Sequence, residues 1–246
     1  MKRAIIIADT HIDEKTPKAY QLVKRFIKKE HKHIDIAILN GDFADVNALN
    51  DWDKDKPKLL ENKRYIREVA NVNKELDFLQ KYIKKIVYIE GNHENRATRA
   101  VEKEPHLEGM LEIPEVLHLK ERGIQWVPDN IYEETGTFYK LSKVYFHHAL
   151  SCSQNAAKAI MMKLGCNMCC GHLHREMMFM LNMAMQEPMV VHIVGCLCSK
   201  QPAWKKGNPT GWANQFAIMD YNKDIFDFNV ITIIKNKFIY NGKEYK

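Results

Sequence analysis

The stretch of sequence that decides the fold is residues 86–94, IVYIEGNHE. Residues 86–89 form a continuous apolar run, which is typical of a strand buried on both faces. The run ends in a polar turn that contains Asn92 and His93. Because ligands of open α/β sheets bind beyond the carboxyl ends of the strands, these side chains are predicted to face a functional site.

The first half of the chain repeats this arrangement of a buried strand followed by polar residues. Apolar runs at residues 3–8 and 34–39 flank a helical pattern at residues 17–30, which predicts a βαβ unit. Apolar residues at helical spacing across 59–85 predict one long helix or two consecutive helices. Residues 95–120 are predicted to be helical in pieces, because prolines interrupt them.

The pattern changes to short strands beyond Gly123. One helix is predicted at residues 154–164, and two or three strands at residues 215–240. The other predicted strands are residues 125–127, 137–141, 143–147, 166–170, 177–183 and 189–194. Since no repeat, low-complexity tract or linker marks a boundary, we predict a single domain over residues 1–246.

Polar residues gather at the ends of five predicted strands. Each group alone has an ordinary explanation, such as a helix cap, a turn or a hydrogen-bonded structural histidine. Five groups at one expected edge of a sheet are not explained in that way. They are Asp9-Thr10-His11, Gly41-Asp42-Phe43-Ala44-Asp45, Gly91-Asn92-His93-Glu94, His147-His148 and Gly171-His172-Leu173-His174.

The chemistry of these groups indicates a metal site. Oxygen ligands from Asp and Asn mixed with imidazole nitrogens suit manganese, iron, zinc or related divalent ions. Where the backbone is extended, alternate side chains point to the same side. On that geometry Asp9 and His11, and likewise His172 and His174, can each reach one site.

The ordered series D-x-H, G-D-x-x-D, G-N-H-E, a later His and G-H-x-H resembles the calcineurin-like metallophosphoesterase superfamily, in particular its small bacterial and phage-type members. The motifs cover residues 3–174. The resemblance implies an α/β fold in which a two-sheet β-sandwich is flanked by helices, a four-layer αββα architecture. The strand-rich remainder to about residue 240 fits its second sheet, and the metals are expected at the strand ends between the sheets.

The resemblance also implies a set of ligands for two divalent metal ions, with manganese favoured over iron, zinc or nickel. Asp42 is expected to bridge the two ions. The expected ligands of the first ion are Asp9, His11 and His174, and those of the second are Asn92, His148 and His172.

Further residues match positions at which the family binds or transforms its substrate. His93 is expected to face the phosphate without binding metal and to protonate the leaving oxygen. Asp45 matches a position that orients this histidine, or else is a turn residue that caps the next segment. Asn92, His93 and Arg96 are the expected substrate contacts. Arg96 and Arg99 could reach the phosphate, or they are exposed helix arginines.

Two departures from the family pattern bear on these expectations. The fourth motif reads His147-His148-Ala149 instead of His-Gly, and side-chain alternation favours His148 as the ligand, with His147 directed into packing. Asp45 is followed by Val46 and not by the phosphate-binding arginine of Ser/Thr protein phosphatases.

The resemblance implies hydrolysis of a phosphoester by a metal-activated hydroxide. Because that arginine is absent and the formal net charge is +6, a phosphodiesterase or nuclease is favoured over a phosphomonoesterase, with nucleotides or nucleic acid as candidate substrates. One alternative is a non-catalytic scaffold of the same fold that binds proteins, although such proteins usually lose ligands and none is lost here. No obligatory protein partner is inferred.

The composition, with 46% hydrophobic and 28% charged residues, is that of a globular protein. The apolar run at residues 4–8 is too short for a signal peptide, and no run approaches the roughly 20 residues needed to cross a bilayer, so we expect a cytoplasmic protein without membrane contact.

Cysteine, methionine and tryptophan residues of the second half leave further alternatives. The six cysteines are predicted to be core thiols, with a zinc cluster at Cys166, Cys169, Cys196 and Cys198 as the alternative, in a nucleic-acid-binding module. Trp204 and Trp212 either wall a substrate cleft or pin their loop. Core packing is predicted for the clustered methionines, which are Met177, Met178, Met180, Met183 and Met185.

Overall fold

A computed structural model describes residues 1–13, 15–129, 138–202, 205 and 207–246 of the chain. Its α-helices are α1 (Lys18–Glu30), α2 (Pro57–Leu60), α3 (Tyr65–Tyr82), α4 (Asn95–Lys103), α5 (Ile113–Val116) and α6 (Ala156–Leu164). Short 3-10 helices lie at His31–His33, Asn47–Leu49, Asp51–Asp53 and Pro105–Leu107.

The strands of the described residues form two large sheets and one hairpin. The strands before α6 are β1 (Lys2–Ile7), β2 (Ile36–Asn40), β3 (Lys85–Ile89), β4 (Gln125–Val127), β5 (Tyr139–Leu141) and β6 (Val144–Phe146). Those after it are β7 (Asn167–Cys170), β8 (Met177–Leu181), β9 (Met189–Ile193), β10 (Gln215–Tyr221), β11 (Phe226–Thr232), β12 (Phe238–Tyr240) and β13 (Lys243–Tyr245).

The first sheet has six strands in the order β11-β10-β1-β2-β3-β4. Strands β1 to β4 pair in parallel, and β10 and β11 add antiparallel pairs at one side. The second sheet has five strands in the order β5-β6-β7-β9-β8, with β6, β7 and β9 parallel. Because parallel neighbours end at the same edge, the loops after β1, β2 and β3 lie side by side, as do the loops after β6 and β7.

Alternation along β1 shows how the layers form. Ile5 and Ile7 face the core shared with α1 and α3, whereas Ala4 and Ile6 face the core between the sheets. On the far side of the second sheet, α6 packs on β7, β8 and β9. The order helix, sheet, sheet, helix confirms the predicted fold class of a two-sheet sandwich flanked by helices.

Helix α1 lies on the first sheet through apolar residues spaced three and four apart, with Val23, Phe26 and Ile27 all buried. Phe26 is surrounded by aromatic rings of the last strands, with centroids 5.5 Å away at Phe238 and 5.1 Å away at Tyr245. The hairpin of β12 and β13 therefore closes the core over α1. Strand β13 lies beyond residue 240, where the last predicted strand ends, so it was not predicted.

Most predicted elements appear with their ends shifted by a few residues. The range 59–85 resolves into two helices, α2 and α3. Of the predicted strand at 137–141, residue 137 lies outside the described residues. Among the described residues, no helix combines the length and the apolar character needed to cross a bilayer.

The methionine prediction is wrong for four of the five residues. The exposed fractions are 58% for Met178, 49% for Met180, 50% for Met183 and 94% for Met185. Strand β8 is an edge strand whose side chains alternate, so Met177 packs towards α6 while Met178 and Met180 face away.

Candidate metal centre

The candidate residues lie in loops that follow five strand ends, and the two sheets meet there. Asp9, Asp42 and Asn92 follow β1, β2 and β3 of the first sheet, and His148 and His172 follow β6 and β7 of the second. The backbone N–H of His172 donates to Asp9 Oδ2 at 2.9 Å. This hydrogen bond joins the functional edges of the two sheets.

The backbone at these positions is left-handed. The φ angles are 50° at Asp9, 49° at His11, 49° at Asp42, 72° at His172 and 57° at His174. Extended backbone was the expected means by which Asp9 and His11, and His172 and His174, reach one site, and this part of the expectation is wrong. Non-glycine residues with such φ angles carry a conformational cost and cluster at functional sites.

The first group of side chains contains Asp9, His11, Asp42 and His174, whose ligand atoms all lie within 4.8 Å of one another. His174 Nε2 is 3.0 Å from Asp9 Oδ1 and 3.1 Å from His11 Nε2. His11 Nε2 is 3.7 Å from Asp42 Oδ2. Two carboxylates and two imidazoles therefore converge on one point.

The second group contains Asp42, His148 and His172, and Asn92 joins it. His148 Nε2 lies 3.2 Å from both Asp42 Oδ2 and Asn92 Oδ1. His172 Nδ1 lies 2.8 Å from Asn92 Oδ1. Asp42 thus belongs to both groups, and the second group is the more open one because Asn92 is exposed.

The electrostatics of the two groups suit cations. Asp9 and Asp42 are buried carboxylates, and their negative charges repel each other. Burial lowers the pKa of His148, but the charges of Asp42 and Asp9 outweigh burial and raise it to about 10. The mixture of carboxylate, amide and imidazole donors fits divalent transition-metal ions, which would neutralise these buried anions.

Two glycines allow the loops to approach this closely. A Cβ atom on Gly41 would lie 2.3 Å from His148 Nδ1, and the φ of Gly41 is +77°. A Cβ atom on Gly91 would lie 2.2 Å from Asp42 Oδ1. The glycines of the G-D and G-N-H-E motifs are therefore required by contact between neighbouring loops.

His93 lies beside the two groups and is held by Asp45. Its Nδ1 is 2.8 Å from Asp45 Oδ1, and its Nε2 is 3.9 Å from Asp42 Oδ2. Burial lowers the pKa of His93, but Asp42 and Asp45 outweigh burial and raise it. Arg96 Nη2 lies 3.0 Å from His93 Nε2, a contact that favours the unprotonated ring nitrogen. The negative charges of Asp42 and Asp45 therefore favour a proton on the ring, whereas the positive charge of Arg96 opposes one on Nε2.

A family model described as calcineurin-like phosphoesterase matches residues 2–176 of this sequence. The chain belongs to that family. No curated protein matches the sequence. Vps29 from Cryptosporidium parvum has a similar structure, at 11% identity and a TM-score of 0.51, over 99% of this chain and 97% of that chain. This likeness concerns the fold alone.

Two other solved structures are similar at lower TM-scores. Vps29 from Entamoeba histolytica, complexed with Zn²⁺, has 10% identity and a TM-score of 0.47 over 96% of each chain. Nuclease MPE from Pseudomonas putida has 16% identity and a TM-score of 0.39, over 87% of this chain and 83% of that chain.

In this member of the calcineurin-like phosphoesterase family, the adjacent histidines of the fourth motif have different surroundings. His148 reaches the second group, and its Nδ1 lies 3.0 Å from the carbonyl oxygen of Asn40. His147 points elsewhere, with its Nε2 3.2 Å from Asp129 Oδ1 and its ring against Phe138. The structure therefore brings His148, and not His147, to the candidate metal centre.

Glu94 is the residue whose role the sequence reasoning missed. It is fully buried and accepts hydrogen bonds from the backbone N–H groups of Asp42, Ala44 and Gly91, at 2.9, 2.8 and 3.0 Å, and from Tyr88 Oη at 2.8 Å. It ties the loop after β2 to the loop after β3. The only signal in the sequence was its place as the last residue of G-N-H-E.

The arginine and tryptophan candidates differ in whether they reach the metal centre. Arg96 reaches His93 and the carbonyl oxygen of Asp45, so it belongs to the site. Arg99 makes no hydrogen bond to these residues and acts on Arg96 only through its charge, which lowers the pKa of Arg96 in addition to burial. Trp212 packs edge-on against His174 with ring centroids 4.1 Å apart, so it lines the centre. Trp204 lies outside the described residues.

The cysteines do not form the alternative zinc cluster within the described part of the chain. Cys169, Cys170, Cys196 and Cys198 are buried, as predicted for core thiols, but Cys152 is exposed. The one possible metal-binding group there that contains a cysteine combines Cys198 with His11 and His174.

Proposed function

We propose that the chain is a phosphoester hydrolase that depends on two divalent metal ions, with manganese favoured. In this proposal Asp42 would contribute to the binding of both ions. Asp9, His11 and His174 would hold the first ion, and Asn92, His148 and His172 would hold the second.

The position of Asp42 is the observation that carries the proposal. Its Oδ2 atom lies 3.2 Å from His148 Nε2 and 3.7 Å from His11 Nε2, so it stands between the two groups. A carboxylate in that position allows two cations to lie about 3.5–4 Å apart. Bound there, two divalent ions would stabilise charge on phosphoryl oxygens and lower the pKa of a water molecule.

The protein's own groups complete the reaction. Asp45 holds His93 Nδ1, which leaves Nε2 directed at the cage, where it can donate a proton to the leaving oxygen. The guanidinium of Arg96, anchored on the carbonyl oxygen of Asp45 at 2.8 Å, can turn from His93 to a non-bridging phosphoryl oxygen. Asn92, exposed at the open side, is the third substrate contact of the proposal.

A phosphodiester, such as a nucleotide or nucleic acid, is the favoured substrate over a phosphomonoester. The formal net charge of +6 favours polyanionic substrates. Val46 stands where protein phosphatases of the superfamily carry a phosphate-binding arginine, so the site has one cation fewer for a dianionic monoester. Within the described residues, Arg96 is then the only arginine that contacts His93.

The test is metal removal followed by separate addition of Mn²⁺, Fe²⁺, Zn²⁺, Ni²⁺ or Mg²⁺, with assays on bis(p-nitrophenyl) phosphate, p-nitrophenyl phosphate, nucleotides and single- and double-stranded nucleic acids. We expect activity with Mn²⁺ and faster hydrolysis of the diester than of the monoester. Metal binding without hydrolysis of any substrate would favour the non-catalytic scaffold instead.

A further inference from the structure

Each histidine of the candidate metal centre has one ring nitrogen directed into the centre and a second ring nitrogen directed away from it. In metalloproteins this nitrogen usually donates to a carboxylate, a backbone carbonyl or water, which fixes the tautomer and the ring orientation. Two histidines follow that rule. His11 Nδ1 lies 3.0 Å from Asp45 Oδ1, and His148 Nδ1 lies 3.0 Å from the carbonyl oxygen of Asn40.

The two histidines of the G-H-x-H motif contact thiols instead. His172 turns Nδ1 to Asn92 and has its Nε2 3.3 Å from Cys152 Sγ. His174 turns Nε2 to Asp9 and has its Nδ1 3.9 Å from Cys198 Sγ. All four outward nitrogens thus have a partner in the protein, and two of these partners are sulfur atoms.

Cys198 is tied to the metal centre by its backbone as well. Its N–H donates to the carbonyl oxygen of Asp9 at 3.1 Å, and its own carbonyl accepts from Asn214 Nδ2 at 2.8 Å. The residue is buried, with 8% of its surface exposed. Its thiol is therefore fixed relative to both Asp9 and His174.

Cys152 reaches the second group from a different loop. It follows His148 by four residues in the segment before α6, and it is the one exposed cysteine of the six, all of which lie within the described residues. Its Sγ closes the outer side of His172, which is itself only half-buried.

We propose that Cys152 and Cys198 are positioning residues that accept the outward N–H groups of His172 and His174, and so aim the inward nitrogens at the second and first metal ions. Sulfur is a weak acceptor, so each thiol contributes mainly by fixing the tautomer and orientation of its histidine. The inference rests on the metal centre of the proposed function and is independent of the reaction.

The test measures metal binding, not turnover. Metal-free wild-type protein and variants are titrated with Co²⁺ in competition with a chelator, and the visible spectrum of bound Co²⁺ is recorded. Cys152→Ala should lower the affinity for the second ion, and Cys198→Ala should lower the affinity for the first ion, in each case by about 10- to 100-fold. Each variant should also change the spectrum of Co²⁺ bound at the affected position. Serine variants, which keep an acceptor, should recover much of the affinity.

Matched controls separate this role from general packing. Cys166→Ala removes a half-buried thiol, and Cys170→Ala removes a buried thiol that packs against α6, so both should bind Co²⁺ as the wild type does. Iodoacetamide should alkylate Cys152 of the wild-type protein first and thereby weaken the binding of the second ion. The Cys152→Ser variant should not lose this affinity on treatment with iodoacetamide.

Three outcomes are distinguishable. Wild-type protein that binds no metal would refute the proposed function itself. Wild-type protein that binds two ions, with alanine variants of unchanged affinity and spectrum, would refute only the role of the thiols. Intense thiolate-to-cobalt absorption that disappears in Cys198→Ala would show a direct ligand and would also overturn the positioning role.

Discussion

Asp45 Oδ1 lies 2.8 Å from His93 Nδ1 and 3.0 Å from His11 Nδ1, so a single carboxylate oxygen contacts both histidines. Burial alone would raise the pKa of Asp45, but its hydrogen bonds to His11 and His93 hold that pKa well below its ordinary value. The carboxylate is therefore ionised, and it links the proposed general acid to a proposed ligand of the first ion. The family resemblance had suggested only the contact with His93.

Asp45→Asn should impair both catalysis and metal binding. An amide at this position keeps the shape but loses the charge that orients both rings. We expect a fall in kcat together with about 10- to 100-fold weaker binding of the first ion. Metal titration and steady-state kinetics measure the two effects, with Asp227→Asn on the exposed side of β11 as the control. A fall in rate with wild-type metal affinity would contradict the link to His11.

His93→Ala should keep both ions and lose rate. General acid catalysis contributes about 10²- to 10⁴-fold, and the loss should depend on the leaving group. An alkyl leaving group needs a proton, so its ester should show a larger loss than an ester of p-nitrophenol, which departs without one. The exposed His33 provides the control variant His33→Ala. Equal losses for both esters, or loss of metal, would contradict the role proposed for His93.

Glu94→Gln should destabilise the loops that carry Asp42 and Asn92. Each carboxylate oxygen of Glu94 accepts two hydrogen bonds, from Asp42 and Gly91 at Oε2 and from Ala44 and Tyr88 at Oε1. The amide nitrogen of Gln would face donors on one side, at a cost of about 1–3 kcal/mol.

Chemical denaturation of Glu94→Gln measures the free energy of unfolding, with the exposed Glu115→Gln as the control. Metal binding should weaken in parallel, because the loop that carries Asp42 loses the acceptor of one of its two backbone N–H groups, that of Asp42 or that of Ala44. Wild-type stability and metal affinity in Glu94→Gln would show that the loops are held by other contacts.

Glu68 should make stability depend on pH. It is a buried residue of α3 that accepts from the Ala48 N–H at 3.2 Å, and burial together with the charge of Asp45 raises its pKa from 4.5 to about 7. Between these two values the unfolded chain loses this proton while the folded chain keeps it. The contribution of Glu68 to stability therefore falls as pH rises from 4.5 to 7, by up to about 3 kcal/mol.

Glu68→Gln removes that titration. Urea denaturation of metal-free wild type and variant at pH 5 and pH 8 gives the difference in the free energy of unfolding at each pH. From pH 5 to pH 8, the free energy of unfolding of the variant should increase relative to that of the wild type. An equal difference in the free energy of unfolding between variant and wild type at pH 5 and pH 8 would contradict a raised pKa for Glu68.

The sequence was sufficient for the layers and for most of the centre, for physical reasons. Strands β1, β2 and β3 are buried on both faces and therefore read as continuous apolar runs. The motifs then identified the groups at their ends, and the structure brings Asp9, Asp42 and the histidines of G-H-x-H together. Side-chain alternation was enough to favour His148 over His147.

Other features depend on contacts that a linear pattern does not contain. The left-handed φ at Asp9 and His174 is imposed by loops packed against one another, so alternation could not predict it. The four donors to Glu94 come from two separate segments of chain, residues 42–44 and 88–91. The exposure of Met178 follows from the place of β8 at the edge of its sheet, which is a property of the topology.

The most direct test of the central claim is the number of metal ions bound by the wild type and by Asp42→Asn, measured by titration of the metal-free proteins with Mn²⁺ and followed by hydrolysis of bis(p-nitrophenyl) phosphate. A bridging Asp42 predicts two ions per wild-type chain and hydrolysis that requires both, whereas Asp42→Asn should bind at most one ion tightly and be inactive. Two ions bound equally well by Asp42→Asn, or hydrolysis by the wild type with no metal bound, would contradict the account.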